Sequence, residues 1–388
     1  SRGGGTSQCG QTVGESLVID TSRYLDRLVS LDLAAGEVTV EPGMVLDHLN
    51  KALKPHGLWF PVDVSTAAQC TIGGMTGNNS CGSRSLRYGN MVHNVRAIDA
   101  ILDDGTPARF ARFGDGGEMQ LNSQRLRTLV SRVHEIAQSV APEIRAIWPK
   151  VMRRVGGYNL DIFDPQSERP YTPDGSVNLA HLLVGSEGTL ASFESIRLGL
   201  APIAGAKVLG VVNVPSFQRA MEITPEIVRL QPVAVELVDR TMIELCRVNP
   251  MFSAIIEDAL VTVGGQQTDA LLLVEFAGDD SAELSRHLIA LDELMGGLGL
   301  AGSVVQLTDA RRQAALWEVR KAGLNIMMSL KGDGKPVSFI EDCAVPLEHL
   351  AAYTASLSEV FARHGTQGTW YAHASVGTLH VRPILDMR

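Results

Sequence analysis

Ser1-Arg2-Gly3-Gly4-Gly5-Thr6-Ser7 opens the chain: three consecutive glycines between an arginine and two hydroxyl residues, with Gly10 close behind. Consecutive glycines adopt φ > 0 readily and can turn successive backbone N–H groups toward one point, while Thr6 and Ser7 add hydroxyl donors. The run is therefore suited to cradle an anion, and a phosphate is its natural guest. It lacks the spaced second glycine and the Lys-Ser/Thr pair of a Walker loop, and it is not the spaced glycine pattern of a Rossmann fold. On this stretch alone, a flexible linker end competes with the cradle.

Two later stretches shift the balance. Pro61-Val62-Asp63-Val64-Ser65-Thr66 leads into Cys70-Thr71-Ile72-Gly73-Gly74-Met75-Thr76-Gly77-Asn78-Asn79-Ser80-Cys81-Gly82, which is almost without charge. Such a segment buries few side chains, offers backbone donors and permits close approach to a flat ligand. Gly185-Ser186-Glu187-Gly188-Thr189-Leu190 follows the apolar run Leu182-Leu183-Val184, which reads as a buried strand. Three small-residue loops suit a long dinucleotide.

These loops, with Tyr88-Gly89 and Asn94-Val95 between them, occur in an order and spacing that resembles the FAD-linked oxidases of the vanillyl-alcohol oxidase fold, particularly the D-lactate and D-2-hydroxyglutarate dehydrogenases. Asn78-Asn79-Ser80-Cys81-Gly82, Arg153-Arg154-Val155-Gly156-Gly157-Tyr158 and His373-Ala374-Ser375-Val376-Gly377 look most like long bacterial members with a fused iron–sulfur domain. The resemblance covers nearly the whole chain. It implies an α+β protein: a two-part FAD-binding domain followed by an α+β cap, or substrate, domain with a mostly antiparallel sheet. FAD contacts are then expected from Arg2, Gly3, Gly4, Gly5, Thr6, Ser7 and Gly10; from Asp63 and Ser65; from Thr71, Gly73, Gly74, Gly77, Asn78, Ser80 and Gly82; from Tyr88 and Val95; and from Gly185, Glu187, Gly188 and Thr189. Some relatives attach the flavin through a histidine in the opening loop. None stands here, so the FAD should be non-covalent.

Composition agrees. With 388 residues, 45% hydrophobic and 20% charged, the chain can bury more than one core. A net charge of −9 argues against nucleic acid or an anionic membrane surface as partner, so an anionic substrate would need local positive charge. The cysteines Cys9, Cys70, Cys81, Cys246 and Cys343 are scattered without a CxxC pair, which argues against a zinc ribbon or an iron–sulfur site here and points to reduced thiols in a cytoplasmic setting, with peripheral placement at an inner membrane face left open. No apolar run approaches the roughly 20 residues of a transmembrane helix.

Periodicity sketches the organisation. Ser16 to Asp20, Glu37 to Val40, Val95 to Leu102 and Ser192 to Leu200 read as strands, and Asp104-Gly105 as a hairpin turn. Met44 to Leu53 has helical spacing before Pro55-His56-Gly57, and Leu126 to Ala141 reads as a helix stopped by Pro142. Ala201-Pro202 sets the expected boundary between an FAD domain over 1–202 and a cap over 203–388. In the cap, Val208 to Val214, Val233 to Leu237, Ala270 to Phe276 and Ser303 to Leu307 read as strands separated by helices.

Chemistry is expected in the second half. Trp317-Glu318-Val319-Arg320 sits on a helical stretch, and the resemblance implies that Arg320 grips a substrate carboxylate with its bidentate fork. Arg153 and Arg154 are secondary: pocket, phosphate or surface all remain open. His373 and His380 bracket Ala374-Ser375-Val376-Gly377-Thr378-Leu379, and a glycine loop between two short strands can bring both imidazoles to one face. The family motif is His-x-Gly-Asp-Gly-Asn-x-His; Ser375, Val376 and Thr378 depart from it, while both histidines and Gly377 remain. Its register implies a divalent metal, zinc or manganese, on the pair. Glu341-Asp342 reads as solvated rather than as support for that metal.

The expected reaction is oxidation of a small anionic D-2-hydroxy acid, lactate-like, to the 2-oxo acid, with electrons passing to a quinone, a cytochrome or iron–sulfur centres outside this sequence. The family's base and third metal ligand lie in a Glu-His-Gly segment beyond the metal-motif histidines. None follows before Arg388, so the sequence reads as an internal fragment. Two other readings remain open: a metal-free FAD sugar-lactone or alcohol oxidase, and a flavin module that only relays electrons.

Overall fold

A computed structural model describes residues 1–7, 12–15, 17–112 and 124–388, apart from the side chains of Leu324 and Asp342; Cys9 and Gly10 lie outside the described residues. The chain divides into two compact units, Ser1–Lys150 with Arg154–Ile203, and Val151–Arg153 with Ala204–Arg388.

The first unit carries strands β1 (Leu28–Asp32), β2 (Glu37–Val40), β3 (Leu58–Trp59), β4 (Val95–Ile101), β5 (Pro107–Ala111), β6 (Ser192–Gly199) and β7 (Ala201–Pro202). Five of them form an antiparallel sheet in the order β1-β2-β6-β4-β5, and β3 pairs with β7. β4 buries Val95, Ala97, Ile98 and Ala100 and leaves Arg96, Asp99 and Ile101 half-buried, an irregular pattern that accompanies the register shifts in its pairing with β6. The core joins Val38, Val40, Ile98, Ile196 and Leu198 of the sheet to Leu46, Leu49 and Leu53 of helix Leu46–Leu53. That helix ends through a 3₁₀ turn at Gly57, in the left-handed conformation expected of a glycine after a helix.

Three local expectations fail here. Leu182-Leu183-Val184 is not a strand: Ala180–Leu183 is one helical turn, fully buried. A short apolar run buried on all sides has no period to separate strand from helix. Leu17 to Ile19 form no strand either; a single parallel bridge joins Arg2 and Asp20, and Leu17 is 86% exposed. Apolar β-branched residues favour extended backbone, but a strand needs a partner ladder. Pro142 does not end a helix but begins one: helix Gln124–Ser139 stops before it, and Pro142 sits in the first turn of Ala141–Ile147, where its missing N–H costs nothing.

The second unit is built on an eight-stranded antiparallel sheet of β8 (Ala206–Val214), β9 (Ala234–Asp239), β10 (Ala270–Gly278), β11 (Val304–Leu307), β12 (Lys335–Pro336), β13 (Ile340–Ala344), β14 (Gly368–His373) and β15 (Thr378–Leu385). Its order is β11-β8-β10-β9-β14-β15-β12, with β13 also on β15. Val212, Leu237, Leu272 and Val274 face helices Phe217–Val228, Ser281–Gly297 and Leu350–Arg363. Leu209, Val211, Val238, Leu271 and Leu273 face helices Arg240–Arg247, Ser253–Glu257 and Ala310–Lys321. Helices on both faces explain why β8 and β10 read as unbroken apolar runs.

Candidate active site

The three small-residue loops meet within the first unit. Thr71 caps helix Ile72–Asn78 by accepting from Gly74 N at 3.2 Å, and the opening loop lies against that turn: a Cβ on Gly3 would stand 2.2 Å from Thr71 Oγ1, and one on Gly4 would stand 2.2 Å from the Gln69 carbonyl. The third loop docks on the other end of the helix, with Gly185 N donating to Thr76 O at 3.0 Å, Glu187 N to Gly77 O at 2.9 Å, and Asn78 Nδ2 to Glu187 Oε1 at 3.0 Å. Ser1 Oγ is 3.7 Å from where a Cβ on Gly188 would stand, so the first and third loops also touch. Gly4, Gly5, Gly74, Gly188 and Thr189 remain exposed, while Ser186 Oγ and Asn79 Nδ2 are buried without a hydrogen-bond partner. Exposed backbone and orphaned polar atoms fit a ligand made of phosphates and polar rings.

The remaining cofactor candidates surround this junction. Asp63 accepts from Arg84 and leaves no room for a Cβ on Gly82; Gly73 is pressed against Pro42; Ser80 Oγ donates to Asn78 Oδ1 at 3.0 Å. The Tyr88 ring meets Trp59 edge-on, the buried Val95 carbonyl contacts His181 Nε2 at 3.1 Å, and Thr189 bonds to Tyr158. Thr6 and Ser7 are half-buried, Ser65 is exposed, and Arg2 pairs with Asp20 at 3.2 Å.

A second cluster lies in the second unit. β14 and β15 form a hairpin in which His373 faces Thr378 and Tyr371 faces His380. Gly377 makes the turn, with φ +65°, and a Cβ there would stand 1.9 Å from the Val345 carbonyl. The geometry brings the two imidazoles together, with centroids 5.2 Å apart. β9 places Glu236 opposite His373, and the carboxylate bridges two expected site residues, with His373 Nδ1 at 2.8 Å and Arg320 Nη2 at 2.7 Å. His380 Nδ1 lies 2.8 Å from Glu341 Oε2, and Glu341 also accepts from Arg382 Nε. Arg382 Nη2 donates to Tyr371 Oη at 2.6 Å; the Tyr371 ring stacks on His380 at 4.3 Å and lies near both the Arg320 and Arg382 guanidiniums.

Burial governs the electrostatics. Glu236 is fully buried, which raises its pKa to about 7 although Arg320 and Arg153 both act to lower it. Burial also acts to raise Glu341, but there His380 and Arg382 prevail and hold it below the usual carboxylate range. Glu341 is therefore not solvated, contrary to the sequence expectation: the pairing of β13 with β15 turns it inward onto His380. Arg153 and Arg154 separate: Arg153 is buried and acts on Glu236, while Arg154 bonds to Asn159 Oδ1 and Tyr158 O and lies over Trp148. Glu236, Tyr371 and Arg382 went unnoticed in the sequence. A charge set inside an apolar run, Glu236 within 234–238 and Arg382 within Thr378–Leu385, is the signal that could have found two of them, because charged residues are rarely buried unless paired. Among the described residues, no group of three or more His, Cys, Asp or Glu is placed to hold a metal ion.

Residues 1–111 match the family model described as FAD binding domain, and residues 203–388 that described as FAD linked oxidases, C-terminal domain. The chain belongs to the FAD-linked oxidase family. The FAD-binding match, residues 1–111, lies within the first unit, and the fold is of the vanillyl-alcohol oxidase type. The chain is 31% identical to the D-2-hydroxyglutarate dehydrogenase of Escherichia coli (strain K12), over 100% of this chain and 38% of that protein. It is 26% identical to the D-lactate dehydrogenase of Archaeoglobus fulgidus, over 99% of this chain and 69% of that one. It spans little more than a third of the length of the D-2-hydroxyglutarate dehydrogenases it matches. Among solved structures, alkyldihydroxyacetonephosphate synthase shares the fold at a TM-score of 0.64 and 13% identity, over 99% of this chain and 66% of that one. p-Cresol methylhydroxylase does so at 0.59 and 11%, over 95% and 65%. No helix among the described residues is long and apolar enough to cross a membrane.

Proposed function

We propose that the full protein oxidises a D-2-hydroxy acid to the 2-oxo acid, with FAD held non-covalently by the three loops. The observation that carries this reading is the buried Arg320–Glu236–His373 bridge beside His380, which joins an anion receptor to two oriented imidazoles. Relatives named for D-2-hydroxyglutarate and D-lactate support the substrate class. Arg320 Nη2 stands 2.7 Å from Glu236 Oε2 as an ion pair, and neither Nη2 nor the buried Nε has a hydrogen-bond partner, so both are donors suited to a substrate carboxylate. Glu236 and Glu341 accept from the Nδ1–H of His373 and His380 and so assign the basic lone pair to each Nε2. Those nitrogens can take the hydroxyl proton or hold a divalent ion, zinc or manganese, that would acidify the hydroxyl. FAD, when bound, supplies the acceptor for the hydride that leaves the carbinol carbon.

The two histidines account for two metal ligands only, and that observation favours, as a second reading, a metal-free oxidation on the same fold. We take the electron acceptor to be a quinone, a cytochrome or an iron–sulfur centre. The reaction belongs in a reducing cytoplasmic setting, including its membrane face, which the four unbridged described cysteines support. The test is anaerobic mixing of full-length, FAD-loaded protein with D-2-hydroxyglutarate and with D-lactate. One of them should bleach the flavin; if neither does, the reading is lost. Metal analysis of the same sample separates the two chemistries.

A further inference from the structure

Arg382 is a second cation of this cluster with no assigned task, and its surroundings limit what it can bind. It lies on β15 two residues beyond His380, on the same face of the sheet, and is 1% exposed. Its Nε is bound to Glu341 and its Nη2 to Tyr371 Oη, but Nη1 is buried with no hydrogen-bond partner. Arg320 repeats the arrangement, with Nη2 in an ion pair with Glu236 and both Nε and Nη2 without a hydrogen-bond partner. A buried charged donor left unmatched is costly, so each orphan marks a place where an acceptor belongs.

The two guanidiniums are close enough to share one doubly charged acceptor. Their central carbons lie 4.8 and 5.1 Å from the same Tyr371 ring centroid, so at most about 10 Å separates them. A five-carbon diacid holds its carboxylate carbons roughly 5 Å apart at about 1.5 Å per C–C bond, and a guanidinium carbon stands about 4 Å from the carboxylate carbon it grips. A five-carbon diacid is long enough to offer one carboxylate to each guanidinium across such a span, whereas a monocarboxylate such as lactate has a single negative charge to offer the two. Charge agrees: Arg153, Arg320 and Arg382 face the carboxylates of Glu236 and Glu341, which leaves cationic excess among the described side chains.

We propose that Arg382 is the residue that selects a second carboxylate: Arg320 takes the carboxylate beside the hydroxyl-bearing carbon, and Arg382 takes the far one. The site thereby prefers D-2-hydroxy dicarboxylates to D-lactate. This assignment rests on the reading of the cluster as a 2-hydroxy acid site.

The test compares D-2-hydroxyglutarate with D-lactate in full-length protein. Arg382→Gln should lower the ratio of the two kcat/KM values by about 10- to 100-fold, Arg382→Lys by less, and Arg320→Lys should lower both activities alike. Flavin content and Tm monitor folding; if Arg382→Gln does not fold, the ratio is read from Arg382→Lys. Binding of glutarate, which has both carboxylates and no hydroxyl, is measured by calorimetry without turnover. The wild type should bind it at least about 10-fold more tightly than the variant, with butyrate equally weak on both. If wild type and variant bind glutarate alike, or if both activities fall with their ratio intact, Arg382 only braces Glu341 and His380 and the proposal is overturned. If the wild type oxidises neither acid but the glutarate difference holds, the oxidation reading falls and the assignment stands.

Discussion

Glu236 shows how one side chain can organise a site. It is fully buried between Arg320 and His373, and burial alone would make a carboxylate there unfavourable; the Arg320 and Arg153 guanidiniums act against burial without bringing its pKa back to the ordinary range. Glu236→Gln keeps the volume, but its amide cannot accept from both neighbours. We expect flavin reduction by the hydroxy acid to slow at least about 10-fold with flavin content unchanged. Stopped-flow rates equal to wild type would reduce Glu236 to packing. Arg320→Lys keeps the charge and loses the fork, so KM for the hydroxy acid should rise about 10- to 100-fold while FAD occupancy holds; an unchanged KM would remove Arg320 from the substrate. On the metal-assisted reading, His380→Ala should remove a divalent ion from the full-length protein together with turnover, as read by elemental analysis. Retention of activity under chelation would instead favour the metal-free chemistry.

At the scale of elements, the glycines do two different jobs. Gly377 turns the β14–β15 hairpin and is the reason that His373 and His380, seven positions apart, share a face. Gly3 is needed for contact: its Cα lies where the capping hydroxyl of Thr71 leaves no space for a methyl group. Gly3→Ala must therefore push the opening loop away from helix Ile72–Asn78. The expected result is full-length protein that folds but retains FAD substoichiometrically, measured by the flavin-to-protein absorbance ratio; normal occupancy would show that the opening loop is not part of the cradle. Acid denaturation of the wild type should release all the flavin, because no histidine stands in Ser1–Ser7 to hold it.

At the scale of the whole molecule, acid sensitivity should originate in the first unit. Burial lowers the pKa of His93 to about 3 and of His181 to about 4, so between those values and 6.5 the unfolded chain binds protons that the folded chain does not. Stability is then fully present above pH 6.5 and falls as pH drops, by about 1.4 kcal/mol per pH unit for each histidine. His181→Gln, which can still donate to the Val95 carbonyl, should flatten the loss between pH 7 and 5 in urea titrations; an unchanged slope would place the acid sensitivity elsewhere. The sequence by itself determined what short-range chemistry dictates: glycine loops able to cradle a dinucleotide, apolar strands covered on both faces, and two histidines flanking a turn that demands φ > 0. Only the tertiary structure decided the partners. Glu236 reaches His373 and Arg320 across sequence separations of 137 and 84 positions, and Glu341 reaches His380 across 39, through antiparallel registers that no local pattern encodes. The same limit explains Leu182 to Val184 and Leu17 to Ile19, whose local propensities are those of strands, because a strand exists only where a neighbour supplies its ladder.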